Sequence, residues 1–180
     1  MSQEVKIVEL KKGDAALPKL KYKYTASSYY DLTIHRESKS WKIELVLKPL
    51  EKTLEKSSES EFFQPYIEEP RAFAAEINGV HVGWIEVGYE KWNKRMRVWE
   101  FLVREDFRRK EIGTLLMKHA VKLAKEKGAR MLVLETQSCN VSAIDFYLKF
   151  GFELIGFDVA AYSNEDVEKK EVRLEMGLKV

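Results

Sequence analysis

The stretch VREDFRRKEIGTLLMKHAVKLAKEKG, residues 103–128, decides the fold because a short basic run leads into a helical apolar pattern. Its apolar positions recur every three or four residues, and Gly128 is placed to end the helix. These positions are Ile112, Leu115, Leu116, Ala120, Leu123 and Ala124. Acidic residues are usual in a helix's first turn, so Arg108, Arg109 and Lys110 at that place indicate a bound anion.

Strand patterns lie on both sides of this helix. RMRVWEFLVRE precedes it, and the nearly continuous apolar run RMLVLETQ follows it, which is typical of a strand covered on both faces. A strand, a helix and a strand of this length predict a βαβ unit, whose ligands gather at the carboxyl ends of the strands. Gly113 would let a phosphate or pyrophosphate approach the backbone there. The other interpretation of the three cations is a solvated basic loop.

The rest of the chain predicts more sheet. RAFAAEINGVHVGWIEVGYE contains two alternating runs joined at Asn78-Gly79, a dipeptide favoured in tight hairpins. YYDLTIHRE and WKIELVLKPL predict two earlier strands of the same sheet, the second ending near Pro49. The polar run EKTLEKSSESE, residues 51–61, predicts a surface helix and loop.

Composition bounds the class of protein. A chain of 180 residues with 12% aromatic residues can bury one substantial core, so a single domain is expected. Its 31 basic and 29 acidic residues give a net charge of +2, which predicts neither nucleic acid nor a membrane as partner. One cysteine and three scattered histidines predict no disulfide framework and no metal site. Without a signal-type start or a bilayer-length apolar run, the expected location is cytoplasmic.

A second motif follows the βαβ unit. NVSAIDFYLKFGF predicts a short helix that Asn140 caps and Gly151 ends, with another strand after it. One face of this helix would carry Ala143, Ile144, Tyr147 and Leu148.

With these two motifs in order, the sequence resembles the GNAT superfamily of N-acetyltransferases. The superfamily's acetyl-CoA motif, written (Arg or Gln)-x-x-Gly-x-(Gly or Ala), is matched here by Arg108, Ile112 and Gly113. Its later motif, Asn-x-x-Ala-x-x-x-Tyr-x-x-x-Gly-Phe, is matched by Asn140, Ala143, Tyr147, Gly151 and Phe152. Glu111 departs from the first motif because it stands at the first glycine, where a carboxylate would oppose a pyrophosphate unless it points away.

The resemblance implies a fold and a cofactor. The implied fold is α/β, of the α+β kind: one domain over residues 1–180 with a mixed, mostly antiparallel central sheet of about six to seven strands, a βαβ unit and flanking helices. Residues 1–69 would supply N-terminal strands and the acceptor side, and residues 70–180 the acetyl-CoA-binding core and a C-terminal hairpin. Acetyl-CoA is the implied cosubstrate, without a metal. The implied cofactor-binding residues are Phe101, Leu102, Val103, Arg108, Arg109, Lys110, Glu111, Ile112, Gly113, Thr114, Asn140 and Tyr147.

Acetyl transfer to an amine needs a base, an oxyanion stabiliser and an acid. By resemblance, main-chain N–H groups of residues 101–103 hold the acetyl carbonyl and Tyr147 is the general acid, although a core tyrosine is the alternative for that residue. For the base we choose Glu100, because a carboxylate on this strand attracts an ammonium and accepts its proton. Glu135, at the carboxyl end of the neighbouring strand, is the other candidate.

Within the superfamily the chain is most similar to streptothricin acetyltransferases, chiefly through LETQSCNVSAIDFYLKFGFELIGFD. The expected function is acetyl-CoA-dependent N-acetylation of a small cationic amine such as streptothricin, a form of antibiotic resistance. Glu135, Glu86 and Tyr162 are expected to line the acceptor site. The alternatives are a catalytically silent acyl-CoA-binding or protein-interaction domain, and a protein N-terminal or lysine acetyltransferase. The expected partner is a small-molecule amine, and the sequence leaves open whether the chain is a monomer or a homodimer.

Overall fold

The computed structural model describes residues 4–14 and 17–180, which fall into two compact units. The first unit contains the described residues up to Tyr22, Ser58–Leu134 and Leu178–Val180, and the second contains Lys23–Ser57 and Glu135–Gly177. The units therefore interleave along the chain. The single domain expected over residues 1–180 stays a prediction.

The regular elements of the described ranges are nine strands, two α-helices and one 3₁₀ turn. The strands are β1 (Lys6–Leu10), β2 (Leu20–Arg36), β3 (Trp41–Ser60), β4 (Arg71–Ile77), β5 (Val80–Glu90), β6 (Arg95–Val103), β7 (Met131–Gln137), β8 (Glu153–Asp158) and β9 (Arg173–Lys179). The helices are α1 (Ile112–Lys127) and α2 (Val141–Phe150), and Glu105–Phe107 form a 3₁₀ turn. Seven strands form a mixed, mostly antiparallel sheet, which confirms the predicted fold class. Neither helix has the length and apolar character that a bilayer crossing requires.

The first unit contains the sheet order β1-β4-β5-β6-β7. β4 and β5 pair antiparallel around the Asn78-Gly79 turn, where both residues have positive φ angles of 51° and 78°, as the predicted hairpin requires. β6 and β7 pair parallel, and α1 connects them, so the predicted βαβ unit is confirmed.

Helix α1 forms because its apolar stripe buries against the sheet. Ile112, Leu116 and Ala120 on this stripe are at most 2% exposed. Gly83 of β5 allows the close approach, because a Cβ atom there would lie 3.1 Å from side-chain atoms of both Ile112 and Leu116. Leu115, expected on the buried face, is 37% exposed, while Met117 is buried.

The opposite face of β4, β5 and β6 packs on other parts of the first unit. An apolar cluster lies on this face. It consists of Ala72 and Ala74 of β4 together with Leu10, Leu20, Phe62 and Phe63. Residues on a strand alternate between faces, so neighbours of the α1-facing positions point into this cluster. The strands are thus covered on both faces, and the polar side chains of Glu86 and Glu100 are buried among them.

The second unit pairs β8 with β9 antiparallel, as the predicted C-terminal hairpin requires. The Asn140 side chain caps α2 by accepting a hydrogen bond from the Ala143 N–H at 3.4 Å, and Gly151 ends the helix in the left-handed conformation. Both signals were predicted. In the connection between the strands, the Asp166 carboxylate accepts hydrogen bonds from the N–H groups of Tyr162 and Ser163 at 2.9 and 2.7 Å.

Three predictions about the early strands are wrong. β2 and β3 pair with each other in a separate two-stranded sheet and do not belong to the seven-stranded one. β3 does not end near Pro49 but continues through it to Ser60, which is possible because both strands of a two-stranded sheet are edges. Residues 51–61, predicted as helix and loop, are therefore mostly strand. Most of β3 is exposed, so the buried-and-exposed alternation that identifies a strand is missing.

Candidate active site

The parallel strands β6 and β7 separate toward their carboxyl ends. Their pairing runs through Arg95, Met96 and Arg97 of β6 and stops at Val133 of β7, although β6 continues to Val103. The stretch 98–103 stays paired to β5 on its other side. Main-chain groups of residues 101–103 on the β7-facing edge therefore lie where the strands have parted, as the resemblance implies.

The N-terminus of α1 carries no side-chain cap. The first-turn N–H groups of an α-helix have no intrahelical partner, so those of Ile112, Gly113 and Thr114 form an anion-binding surface. Arg108, Arg109 and Lys110, all exposed, precede this surface, and no ion pair in the described chain involves them. The Arg108 Nε donates to the Val103 carbonyl at 3.4 Å, which links the basic run to the end of β6.

Glu111 occupies the left-handed conformation, with φ 61° and ψ 2°. This conformation costs a residue with a Cβ atom about 1–2 kcal/mol relative to glycine. The backbone at Glu111 therefore has a conformation that favours glycine, although the residue is a glutamate.

Glu100 lies on β6, immediately before the separated stretch, and is 9% exposed. Its two carboxylate oxygens each accept a hydrogen bond, Oε2 from the Tyr22 hydroxyl at 2.6 Å and Oε1 from the Ser60 hydroxyl. Burial raises the pKa of Glu100 above its ordinary value, and the hydrogen bonds from Ser60 and Tyr22 partly oppose that rise. The carboxylate is thus fixed in place and holds a proton more readily than an exposed glutamate.

Glu86 lies on β5 directly opposite Glu100 in the strand register and is fully buried. Its Oε1 accepts a hydrogen bond from the Phe63 N–H at 2.7 Å. Burial raises the pKa of Glu86 to about 7, the Phe63 hydrogen bond opposes the rise, and the negative charge of Glu100 adds to it. Glu86 was expected to line the acceptor site, but it has no exposed surface with which to meet an acceptor.

An open cleft of about 450 Å³ lies beside Ser60 in the first unit. Its lining residues are Lys19, Glu59, Ser60, Glu61, Gln64 and Tyr66. Glu61 pairs with Lys19 at 2.9 Å, and both side chains are more than half exposed, so solvent screens the pair and it contributes little to stability. A cationic ligand could replace the lysine there at little cost.

The second unit holds the residues of the later motif. Tyr147 is 8% exposed on α2 and lies 5.9 Å from the Phe152 ring, measured between ring centroids. Burial raises the pKa of the Tyr147 phenol, so it keeps its proton at neutral pH. Cys139 is buried, and its Sγ lies 3.4 Å from the Tyr24 hydroxyl. Burial raises the pKa of the Cys139 thiol, which suits a packing role.

Glu135 and Tyr162, two of the residues expected at the acceptor site, also lie in the second unit. The Tyr162 hydroxyl donates to Glu135 Oε1 at 3.5 Å, and the Arg173 Nε lies 2.6 Å from Oε2 of the same carboxylate. Both oxygens of Glu135 are therefore engaged. An acceptor amine would have to displace Arg173 to bind there, so the first unit provides the better-prepared carboxylate in Glu100.

The structure brings some predicted residues together and adds others. Glu100, residues 101–103 and residues 108–114 share the first unit, whereas Asn140 and Tyr147 lie in the second. Sequence reasoning missed Tyr22 and Ser60, the two donors to Glu100. The alternation of Leu20, Tyr22, Tyr24 and Ala26 with polar residues was a usable strand signal for β2, but nothing marked Ser60.

Comparison with known proteins places the chain in a class. The model of the acetyltransferase (GNAT) family matches residues 37–152. Because this match covers more than half of the 180 residues, the chain belongs to the GNAT acetyltransferase family.

Among individual proteins, the chain is similar to streptothricin acetyltransferases. It is 38% identical over 89 residues to that of Streptomyces lavendulae, covering 49% of this chain and 47% of the relative. It is 36% identical over 101 residues to streptothricin acetyltransferase A of Bacillus subtilis strain 168, covering 55% and 58%. The chain thus matches only about half the length of these relatives.

Two crystal structures resemble the whole chain. Nourseothricin acetyltransferase superposes with a TM-score of 0.76 at 28% identity, covering 97% of this chain and 98% of that one. A candidate streptothricin acetyltransferase of Bacillus anthracis strain Ames, in complex with acetyl coenzyme A, gives a TM-score of 0.78 at 24% identity, covering 99% and 98%. At that identity the second likeness shows the fold alone.

Proposed function

We propose that this protein is an acetyl-CoA-dependent N-acetyltransferase that transfers an acetyl group directly to a primary amine of a small cationic acceptor such as streptothricin. The observation that carries the proposal is the placement of Glu100: a buried, doubly hydrogen-bonded carboxylate at the point where β6 parts from β7. Membership of the GNAT family and similarity to streptothricin acetyltransferases support the choice of reaction and acceptor.

The residues at the start of α1 fit an acyl-CoA. A pyrophosphate needs N–H donors and positive charge, and the uncapped first turn with Arg108, Arg109 and Lys110 provides both, while the Glu111 carboxylate at the N-cap weakens the attraction. Main-chain groups of residues 101–103 would hold the pantetheine arm and the acetyl carbonyl. Bound acetyl-CoA supplies an acetyl group activated as a thioester.

The protein's own groups would move two protons. Glu100 Oε2 or Oε1 would accept a proton from the acceptor ammonium, directly or through water, and leave a neutral amine able to attack. As the new C–N bond forms and the C–S bond breaks, the Tyr147 hydroxyl would give its proton to the departing sulfur, and the proton lost by the acetylated nitrogen would pass through solvent to restore the phenol. Because burial raises its pKa, the Tyr147 phenol is still protonated when the sulfur departs.

The cleft beside Ser60 is the proposed acceptor site. Glu59 and Glu61 give it negative charge, Tyr66 offers an exposed aromatic ring, and Ser60 connects it to Glu100. A ring and carboxylates together suit a cationic amine, which both attract. A molecule with several amines would fit this chemistry better than a neutral one.

The test is a thiol-release assay with acetyl-CoA and a panel of amines. The panel includes streptothricin, a polyamine, a peptide with a free N-terminus and a peptide with an internal lysine. Rapid release with streptothricin or the polyamine is expected. Release with the peptides alone would favour the protein N-terminal or lysine acetyltransferase alternative. A thermal shift by CoA without release for any amine would overturn the proposal in favour of a silent acyl-CoA-binding domain.

A further inference from the structure

Two carboxyl groups face each other across β5 and β6. Glu86 and Glu100 are direct partners in the antiparallel register, so their side chains emerge on the same face with Cβ atoms roughly 5 Å apart. The register shifts immediately afterwards, because Val87 pairs with Val98 and leaves Trp99 as an extra residue on β6. Such bulges redirect neighbouring side chains and are common beside active sites.

The two carboxyls are hydrogen-bonded unequally. Glu100 receives two O–H donors, one on each oxygen, which favours its ionised form. Glu86 receives one N–H donor on Oε1, and its buried Oε2 has no hydrogen-bond partner within the part of the chain that the structure describes. Burying a carboxyl oxygen without a hydrogen-bond donor costs more free energy when the carboxyl is ionised than when it is protonated. The proton of the pair therefore belongs on Glu86.

Little else near the pair can titrate. Ala72 of β4 lies opposite Glu86 in the strand register. The segment between β3 and β4 supplies the uncharged N–H group of Phe63. From β2 comes the Tyr22 phenol, and from β3 the Ser60 hydroxyl, both directed to Glu100. The Glu86 carboxyl has no cationic group among its electrostatic partners. Glu100 is consequently the main charge that Glu86 experiences.

We propose that Glu86 is a positioning residue that forms one coupled unit with Glu100, in which the ionisation of Glu86 sets how strongly Glu100 attracts a proton. The inference rests on the proposed role of Glu100 as the base. Below neutral pH a protonated Glu86 leaves Glu100 ionised but weakly basic. Above neutral pH a charged Glu86 makes Glu100 a stronger base and adds to its attraction for a cationic amine.

The first arm of the test measures the coupling without turnover. Carboxyl-carbon NMR of protein with labelled glutamate follows the titration of both groups in the wild type, in Glu86→Gln and in Glu100→Gln, which also assign the signals. We expect Glu86 to titrate near pH 7 in the wild type and at a lower pH in Glu100→Gln, where the neighbouring charge is absent. An unchanged Glu86 titration in Glu100→Gln would overturn the proposal.

The second arm measures the effect on catalysis. The ratio of kcat/KM for wild type over Glu86→Gln should be flat below about pH 6 and rise about tenfold to a plateau above about pH 8. A uniformly lowered rate for Glu86→Gln, with a flat ratio, would mean a structural role only and would overturn the proposal. Glu126→Gln, an exposed carboxylate change on α1, is the control and should give a flat ratio near one.

The two arms separate this inference from the proposed function. If no amine is acetylated, the proposed function fails, and the NMR arm still decides whether the carboxyls are coupled. If acetylation is observed but the NMR titrations are independent, the coupled pair fails and the proposed function stands.

Discussion

The two faces of β4, β5 and β6 differ in what covers them. One face packs on α1, whose apolar stripe and N-terminal cations are adjacent in sequence. The other packs on residues that come from β1, β2 and the segment around Phe62 and Phe63, and it contains Glu86 and Glu100. The first face would serve the cofactor and the second the acceptor and base. A face that is covered by one continuous segment can be predicted from the sequence, whereas a face that is covered by segments distant in the chain cannot.

The largest expected effect falls on the second face. Glu100→Gln should lower kcat/KM by about 10²- to 10⁴-fold, because the amide keeps the shape but accepts no proton. Thiol release at saturating acetyl-CoA measures it, and CoA binding, followed by thermal shift, should be unchanged. The control Glu126→Gln should retain the wild-type rate. A wild-type rate for Glu100→Gln would move the base elsewhere, with Glu135 the next candidate.

The packing of the same face is tested by Gly88→Ala. A Cβ atom at Gly88 would lie 2.6 Å from Ile67 Cγ2 and 2.9 Å from the Glu68 carbonyl oxygen, and the backbone cannot yield as a side chain can. We expect a loss of about 1–3 kcal/mol in the free energy of unfolding, measured by denaturant titration.

Two glycine variants serve as references for Gly88→Ala. Gly83→Ala meets side chains of α1 at 3.1 Å and the Leu102 carbonyl oxygen at 3.2 Å, and it should lose less stability because these contacts are longer than those at Gly88. Gly156→Ala meets nothing nearer than 3.8 Å and should stay within about 0.5 kcal/mol of the wild type. Equal losses for Gly88→Ala and Gly156→Ala would contradict the tight packing of segment 61–70 on this face.

On the cofactor face, Arg108→Glu should raise the KM for acetyl-CoA by about tenfold, because it replaces a charge-assisted contact to phosphate by repulsion. Steady-state kinetics with the acceptor at saturation measures the change. Lys118→Glu makes the same charge change further along α1 on an exposed site and should leave the KM within about twofold. If both variants behave alike, the basic run is only a solvated loop.

The smallest expected effect is that of Glu111→Gly. Removing a Cβ atom from the left-handed conformation should stabilise the fold by up to about 1 kcal/mol, and loss of the carboxylate should lower the KM for acetyl-CoA a few-fold. Lys94→Gly relieves a similar positive φ of 54° at a different turn, so it should share the gain in stability and leave the KM unchanged. A higher KM for Glu111→Gly would assign that carboxylate a binding role.

The early strands show why part of the fold escaped prediction. β3 is exposed along most of its length and contains Pro49, so the sequence marked only its first half, WKIELVLKPL, as a strand and missed the part after Pro49. Its pairing with β2 depends on a long-range contact that no local pattern encodes. Ser60 could be recognised as a partner of Glu100 only after that strand had been placed.

The sequence by itself determined the hairpin at Asn78, the βαβ unit, the glycines that end both helices, the Asn140 cap of α2 and membership of a family, because each depends on residues close together in the chain. Only the tertiary structure decided which polar groups surround Glu100, why Glu86 is buried beside it, and that Glu111 adopts a glycine-like backbone. The physical reason is that burial and carboxyl pairing depend on distances between segments remote in sequence. A side chain's charge is known from its identity, but its proton affinity is set by the neighbours that folding supplies.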